Sequence, residues 1–286
     1  MMLKAKLLFC GTALLLLLSA CAATRAPEVN TPQAKNDGNY PPVIEASAAR
    51  QQAVEDAWRA LLAEFKLPET RLTLEPILNT PRALPASLAG QINLNQTGGK
   101  FDADQAREAL RRFIERAHAV LSGDQRAGAL SLKDLSLVSF SDEGEMYRAR
   151  YRQMNYPFPL VNGYGEMSFV LSKSGALLQM SSRLISPLLL SAELPTHARV
   201  EPQKLIDPLI GREFTYSNFA GQPMTYKVTQ RNEISVNELV IYPKQEGDRI
   251  SVSLAWQITV GRGTNWTVFV DAITGQEIEV KQNFVT

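Results

Sequence analysis

The chain has 286 residues, with 30 lysines and arginines against 29 aspartates and glutamates, for a formal net charge of +1. That balance argues against a dedicated nucleic-acid binder, which carries a strong basic excess. Hydrophobic residues make up 45%, which is enough for a globular core, and the length fits one large domain or two small ones.

The N-terminus reads as a signal. Lys4 and Lys6 give it a basic start, and the apolar run Leu7 to Leu18 is too short to span a bilayer as a helix. The run closes on Leu18-Ser19-Ala20-Cys21, which resembles a bacterial lipobox. In the lipoprotein family that this resembles, residues 1–20 are removed and the thiol of the new first residue, here Cys21, receives lipid. Loss of Lys4 and Lys6 leaves an excess of one acidic residue. Cys10 leaves with the signal, so the mature chain is expected to hold one lipid-blocked cysteine and no disulfide. One acyl chain anchors only marginally; the resembled family carries a diacylglyceryl group and an amide-linked chain. Ala22, a small residue in place of aspartate, is consistent there with sorting to the outer membrane, facing the periplasm.

Residues 21–44 read as a tether. Pro27, Pro32, Pro41 and Pro42 stand among polar residues with few large apolar ones, too little to offset the entropy of ordering the segment. A helix is expected from about Glu45 to Phe65, because Val54, Trp58, Leu61, Leu62 and Phe65 form one apolar stripe. Pro68 stops it. The stretch Arg71 to Lys100 reads as irregular. A second helix is expected from Phe101. Asp102 and Gln105 have capping-box spacing, Ala106, Leu110, Phe113, Ile114, Ala117 and Leu121 supply the stripe, and Gly123 ends it.

The period then changes to two. Leu135, Leu137 and Phe140 suggest a strand, with a turn at Ser141-Asp142-Glu143-Gly144. Tyr147, Ala149, Tyr151 and Gln153 alternate with Arg148, Arg150 and Arg152. Strands Gly165–Leu171 and Ala176–Ser182 join through Lys173-Ser174-Gly175. Beyond a joint near Leu194–Glu201 the order repeats. A short helix is expected at Glu201–Ile206, cut by Pro208, and strands follow at about Thr225–Thr229, Glu238–Tyr242, Ile250–Val260, Trp266–Val270 and Ile278–Val280. The expected architecture is α+β, with two helix-on-antiparallel-sheet modules at residues 45–195 and 196–286.

Leu254-Ala255-Trp256-Gln257-Ile258, followed by Trp266 to Ile278 with its Val270-Asp271-Ala272-Ile273-Thr274-Gly275 turn, resembles a PepSY domain. Upstream, Tyr151-Arg152-Gln153, Pro157, Pro159, Gly163 and Ser174-Gly175 resemble the fungalysin/thermolysin propeptide (FTP) module. Together they are similar to the propeptide of a thermolysin-like metalloprotease over about Phe101 to Phe284. Tyr156-Pro157-Phe158-Pro159 and Pro208 depart from that pattern. The resemblance implies modules that pack against a protease and slow it. Independently, Asp271 is suited to bonding turn amides and Gly275 to a positive φ, so both read as sheet builders rather than catalysts.

Enzyme motifs are missing. His118 and His197 have no HExxH partner, and the sequence has no phosphate loop and no Gly-x-Ser-x-Gly elbow. Neither a catalytic residue, a metal site nor a cofactor is expected. The expected role is a lipid-anchored binding module that inhibits or chaperones an exported peptidase, such as a metalloprotease, in trans, because no protease segment follows Thr286. The rival reading is a structural envelope-assembly scaffold without a protease partner. Arg148, Arg150 and Arg152, spaced about 7 Å apart on one strand face, are the candidate contacts to an acidic partner or lipid phosphates. The plainer reading makes them a solvated face that keeps the sheet soluble.

Overall fold

The computed structural model describes residues 39–95, 98, 99, 101–126, 128–217, 222–262 and 265–283. Strand β1, Val43–Glu45, comes first, and helix α1 follows at Ala48–Glu64. The Ser47 hydroxyl accepts the Arg50 amide and caps the helix. Val54, Trp58, Leu61 and Leu62 are buried along α1, as the stripe predicts, and the Trp58 indole N–H donates to the Thr70 carbonyl at 2.8 Å. The helix starts three residues later than expected because β1 takes up the chain before it.

Two short strands, β2 (Thr73–Leu74) and β3 (Pro81–Ala83), pair antiparallel within the stretch expected to be irregular. Helix α2, Ala103–Arg116, carries the expected capping box: the Asp102 carboxylate accepts from the Asp104 and Gln105 amides, and Gln105 returns a bond to the Asp102 amide. The helix breaks at Ala117, and α3, His118–Ser122, ends on Gly123 in the left-handed conformation (φ 67°).

The first sheet is an antiparallel meander of β4 (Leu135–Glu143), β5 (Met146–Gln153), β6 (Glu166–Ser172) and β7 (Leu177–Ser182), in that order. Strand β4 runs through residues 141–143, expected to be turn, and the chain reverses at Gly144-Glu145 instead. The helices cover one face. Phe113 and Tyr151 both meet the Phe169 ring edge-on at 6.0 Å. Burying a side chain such as Phe169 contributes roughly 1.5–3 kcal/mol. Period two puts Tyr147, Ala149, Tyr151 and Gln153 on this face and the arginine row on the other.

After two 3-10 turns, Pro202–Leu205 and Asp207–Leu209, a hairpin forms from β8 (Glu213–Ser217) and β9 (Pro223–Lys227). The second sheet contains β10 (Ile234–Glu246), β11 (Arg249–Val260), β12 (Asn265–Asp271) and β13 (Glu277–Asn283). Strand β10 pairs β11 along one edge; β12 and β1 share the other, and β13 lies beyond β12. The expected short helix takes the 3-10 form. Together with the hairpin it covers the face carrying Ile258, Val260, Trp266 and Val268. The tether expected to reach residue 44 gives way earlier: β1 fills the part of the β11 edge that β12 leaves open, with Ile44 fully buried. An uncovered edge beside an apolar face favours such an occupant.

Loops that flank the first sheet pack on the second. The Ile241 amide donates to Pro159 and the Val161 amide to Ile241, a parallel bridge at Leu160. Around it Ile44, Ile77, Leu160, Tyr164, Ile185 and Val252 form one buried cluster. The fold is α+β.

Candidate functional site

The outer face of the first sheet is built from β4–β7 side chains opposite the helix layer. Cross-strand register sets Arg148 between Ser141 and Val170, Arg150 between Ser139 and Ser168, and Arg152 between Ser136 and Glu166. All three arginine side chains are about half exposed. They are not bare cations. Arg148 Nε lies 2.5 Å from a Glu143 oxygen, Arg150 Nη2 3.0 Å from Glu166, and Arg152 Nη2 3.9 Å from the other Glu166 oxygen. The Arg148 hydrogen bond holds the Glu143 carboxyl below the usual carboxylate range. Exposed pairs of this kind add little to stability. The face is therefore an array of guanidinium groups and serines, with three cations answered by two carboxylates. It can donate N–H groups to an anionic or carbonyl-bearing surface.

Asp271 is placed as a sheet builder. Its Oδ1 accepts the Ile273 and Thr274 amides at 2.9 and 2.8 Å, and Gly275 takes φ 77°. The second carboxylate oxygen accepts the Tyr40 phenol at 2.9 Å, a partner that the sequence did not single out. Trp256 and Trp266 lie on paired strands; Trp266 is buried and Trp256 partly buried. The Trp256 indole N–H donates to the Val200 carbonyl at 2.9 Å. Around Trp266 stand Phe214, Tyr226 and Tyr216, at ring distances of 5.1, 5.2 and 5.8 Å.

The remaining sequence candidates are scattered. Half-buried His118, at the start of α3, contacts the Glu115 carbonyl in the last turn of α2, and His197 is exposed. Asp142 pairs with Lys173. Among the described residues no three His, Cys, Asp or Glu side chains are gathered so as to hold a metal ion. No helix among them is long and apolar enough to cross a membrane. Cys21 lies outside the described residues.

A polar knot under α1, also not read from sequence, serves the fold. Buried Glu75 accepts the Ile77 and Leu78 amides at 2.9 and 2.7 Å. Nearby, burial opposes ionisation of Asp124, but bonds from Arg126 outweigh it and hold the carboxyl low.

No family model and no curated protein matches the chain. Among solved structures it is similar to the C-terminal domain of YpeB from Bacillus megaterium, at 10% identity and a TM-score of 0.29, over 85% of this chain and 100% of that one. A likeness of this size decides neither fold family nor function.

Proposed function

We propose that this chain is a lipid-anchored, non-catalytic binding module of PepSY-like build that inhibits or chaperones an exported peptidase in trans. The observation that carries the proposal is the division of labour on the first sheet. One face is buried under helices, while the other holds Arg148, Arg150 and Arg152 in a half-exposed row. The residues of the PepSY-like turn support the same reading, because Asp271 and Gly275 are committed to holding the hairpin. In this reading Cys21 carries the lipid and the module faces the periplasm.

The test has two arms. Mature protein titrated against a secreted thermolysin-type metalloprotease should slow cleavage of a peptide substrate or raise the recovery of folded protease. No effect on either would overturn the peptidase role. Cys21→Ala should abolish uptake of labelled fatty acid and release the protein from membranes. Wild-type protein recovered wholly soluble and unlabelled would overturn the anchor.

A further inference from the structure

We infer that the open edge of β4 is a strand-addition site for an extended segment of a partner protein that alternates apolar and acidic side chains. The inference rests on the binding-module reading and specifies how the module binds.

The two large sheets end in strands that are treated differently. On β7 the edge is covered: the Gly90 amide donates to Leu177, the Leu177 amide to Ile92 and the Leu94 amide to Gly175. The β13 edge carries Glu277, Glu279 and Lys281, and β10 carries Pro243 and takes the Leu160 bridge. Charge, proline and coverage are the usual protections against unwanted pairing. Strand β4 is nine residues long, and from Leu135 to Ser141 it holds neither charge nor proline. Among the described residues it pairs with β5 alone.

The direction of its free backbone groups follows from its neighbour. The Gln153 amide donates to Gly165, toward β6, whereas the Met154 amide donates to Asp134, toward β4. Antiparallel alternation then turns the backbone groups of Leu135, Leu137, Phe140 and Asp142 away from β5, with the register shift at Val138 accounted for; the Leu135 amide is taken by the Leu132 carbonyl, and the others face outward. These groups form a ladder half about 23 Å long.

The side chains beside that ladder describe its occupant. Leu137, Val138 and Met154 are 39%, 45% and 57% exposed; the other exposed large apolar side chains, Leu188, Ile210 and Met224, lie elsewhere. Leu137 and Phe140 belong to the helix-side face, and the Arg107 guanidinium sits 4.3 Å over the Phe140 ring. Inward side chains of an added strand would rest on this apolar shelf. On the outer face β4 offers Ser136, Ser139 and Ser141, each opposite one arginine of the row. Serines are short enough for Arg148, Arg150 and Arg152 to reach across them to the next strand, so carboxylates at alternate positions would meet the row's surplus charge. Main-chain pairing supplies affinity and the alternate pockets supply selectivity.

The test uses the full mature chain and a blocked synthetic peptide alternating valine and glutamate over about eight residues. Binding should slow hydrogen exchange at the Leu137, Phe140 and Asp142 amides and leave those facing β5 unchanged. Leu137→Pro removes an outward N–H, and Leu137→Lys places a charge on the shelf; each should weaken binding about tenfold, with wild-type melting for the lysine variant. A peptide with lysine in place of glutamate should bind several-fold less tightly at low salt. Equal binding to wild type and Leu137→Lys, or protection spread evenly over β4, would overturn the inference. So would a wild-type dimer that Leu137→Lys makes monomeric, because the occupant would then be a second copy. Capture of a peptidase that persists unchanged in Leu137→Lys would sink the strand-addition site and leave the binding-module reading standing.

Discussion

The Tyr40 phenol donates a 2.9 Å hydrogen bond to the Asp271 carboxylate and accepts the Leu254 amide at 3.1 Å, joining positions 231 residues apart. Burial, and then the Asp271 charge, push the phenol above its ordinary range. A folded-state value raised in this way gives stability that is complete below the unfolded pKa of about 10 and is lost as pH climbs through the folded value. Tyr40→Phe should therefore flatten the loss of stability above about pH 10. At neutral pH it should cost about 1–2 kcal/mol, because Asp271 and the Leu254 amide each lose a partner. Urea melts across pH for both proteins check this. Parallel alkaline limbs would show that the phenol is not the linked group; Tyr151, raised by burial to about 12, titrates in both.

Trp266 is 2% exposed and packed by three other aromatic rings. Trp266→Ala should cost about 3–5 kcal/mol. The cluster of Ile44, Leu160, Ile185, Ile241 and Val252 joins strands of the second sheet to the loops that flank the first, so the loss should lower one cooperative transition rather than melt the second sheet alone. Far-ultraviolet circular dichroism and calorimetry should report the same midpoint. Two resolved transitions in the variant would mean that the shared cluster does not couple the sheets.

Gly123 and Gly144 separate two costs of replacing glycine. Both have positive φ, 67° and 62°. A Cβ on Gly123 would lie 1.9 Å from the Leu78 carbonyl oxygen, whereas one on Gly144 meets nothing within 4 Å. Gly144→Ala should cost about 1 kcal/mol from backbone strain alone. Gly123→Ala should cost about 3 kcal/mol or more, since the 75–80 loop must shift as well. Denaturant midpoints measure the difference, and equal costs would contradict the close approach.

Local patterns were legible where one rule governed a segment. The capping box at Asp102, the alternation of Tyr147 to Gln153 and the Asp271–Gly275 turn all follow from side-chain chemistry within a few residues of chain. Features set by distant partners were not. Tyr40–Glu45 has the composition of a tether, and it becomes ordered because β11 outruns β12 and leaves an edge to fill. Strand β8 carries Phe214 and Tyr216 at period two, a signal that was present and went unread. Alternation along β5 sets the arginine row on one face, but Glu166 comes from the neighbouring strand, so the partial neutralisation of that face depends on register.

The way the N-terminal segment enters the fold has a mechanical consequence. A pull applied ahead of residue 40 reaches the Tyr40 phenol and the three β1 pairs on Val43, Ile44 and Glu45 before it reaches α1. Tension thus enters through the second sheet at its Asp271 turn, while the helix layer and the arginine row stand off the line of force. A short ladder of this size yields before the long β10–β11 pairing. Under load, the chain would first lengthen by peeling its own leading strand, and the remaining strands of both sheets would keep their pairing.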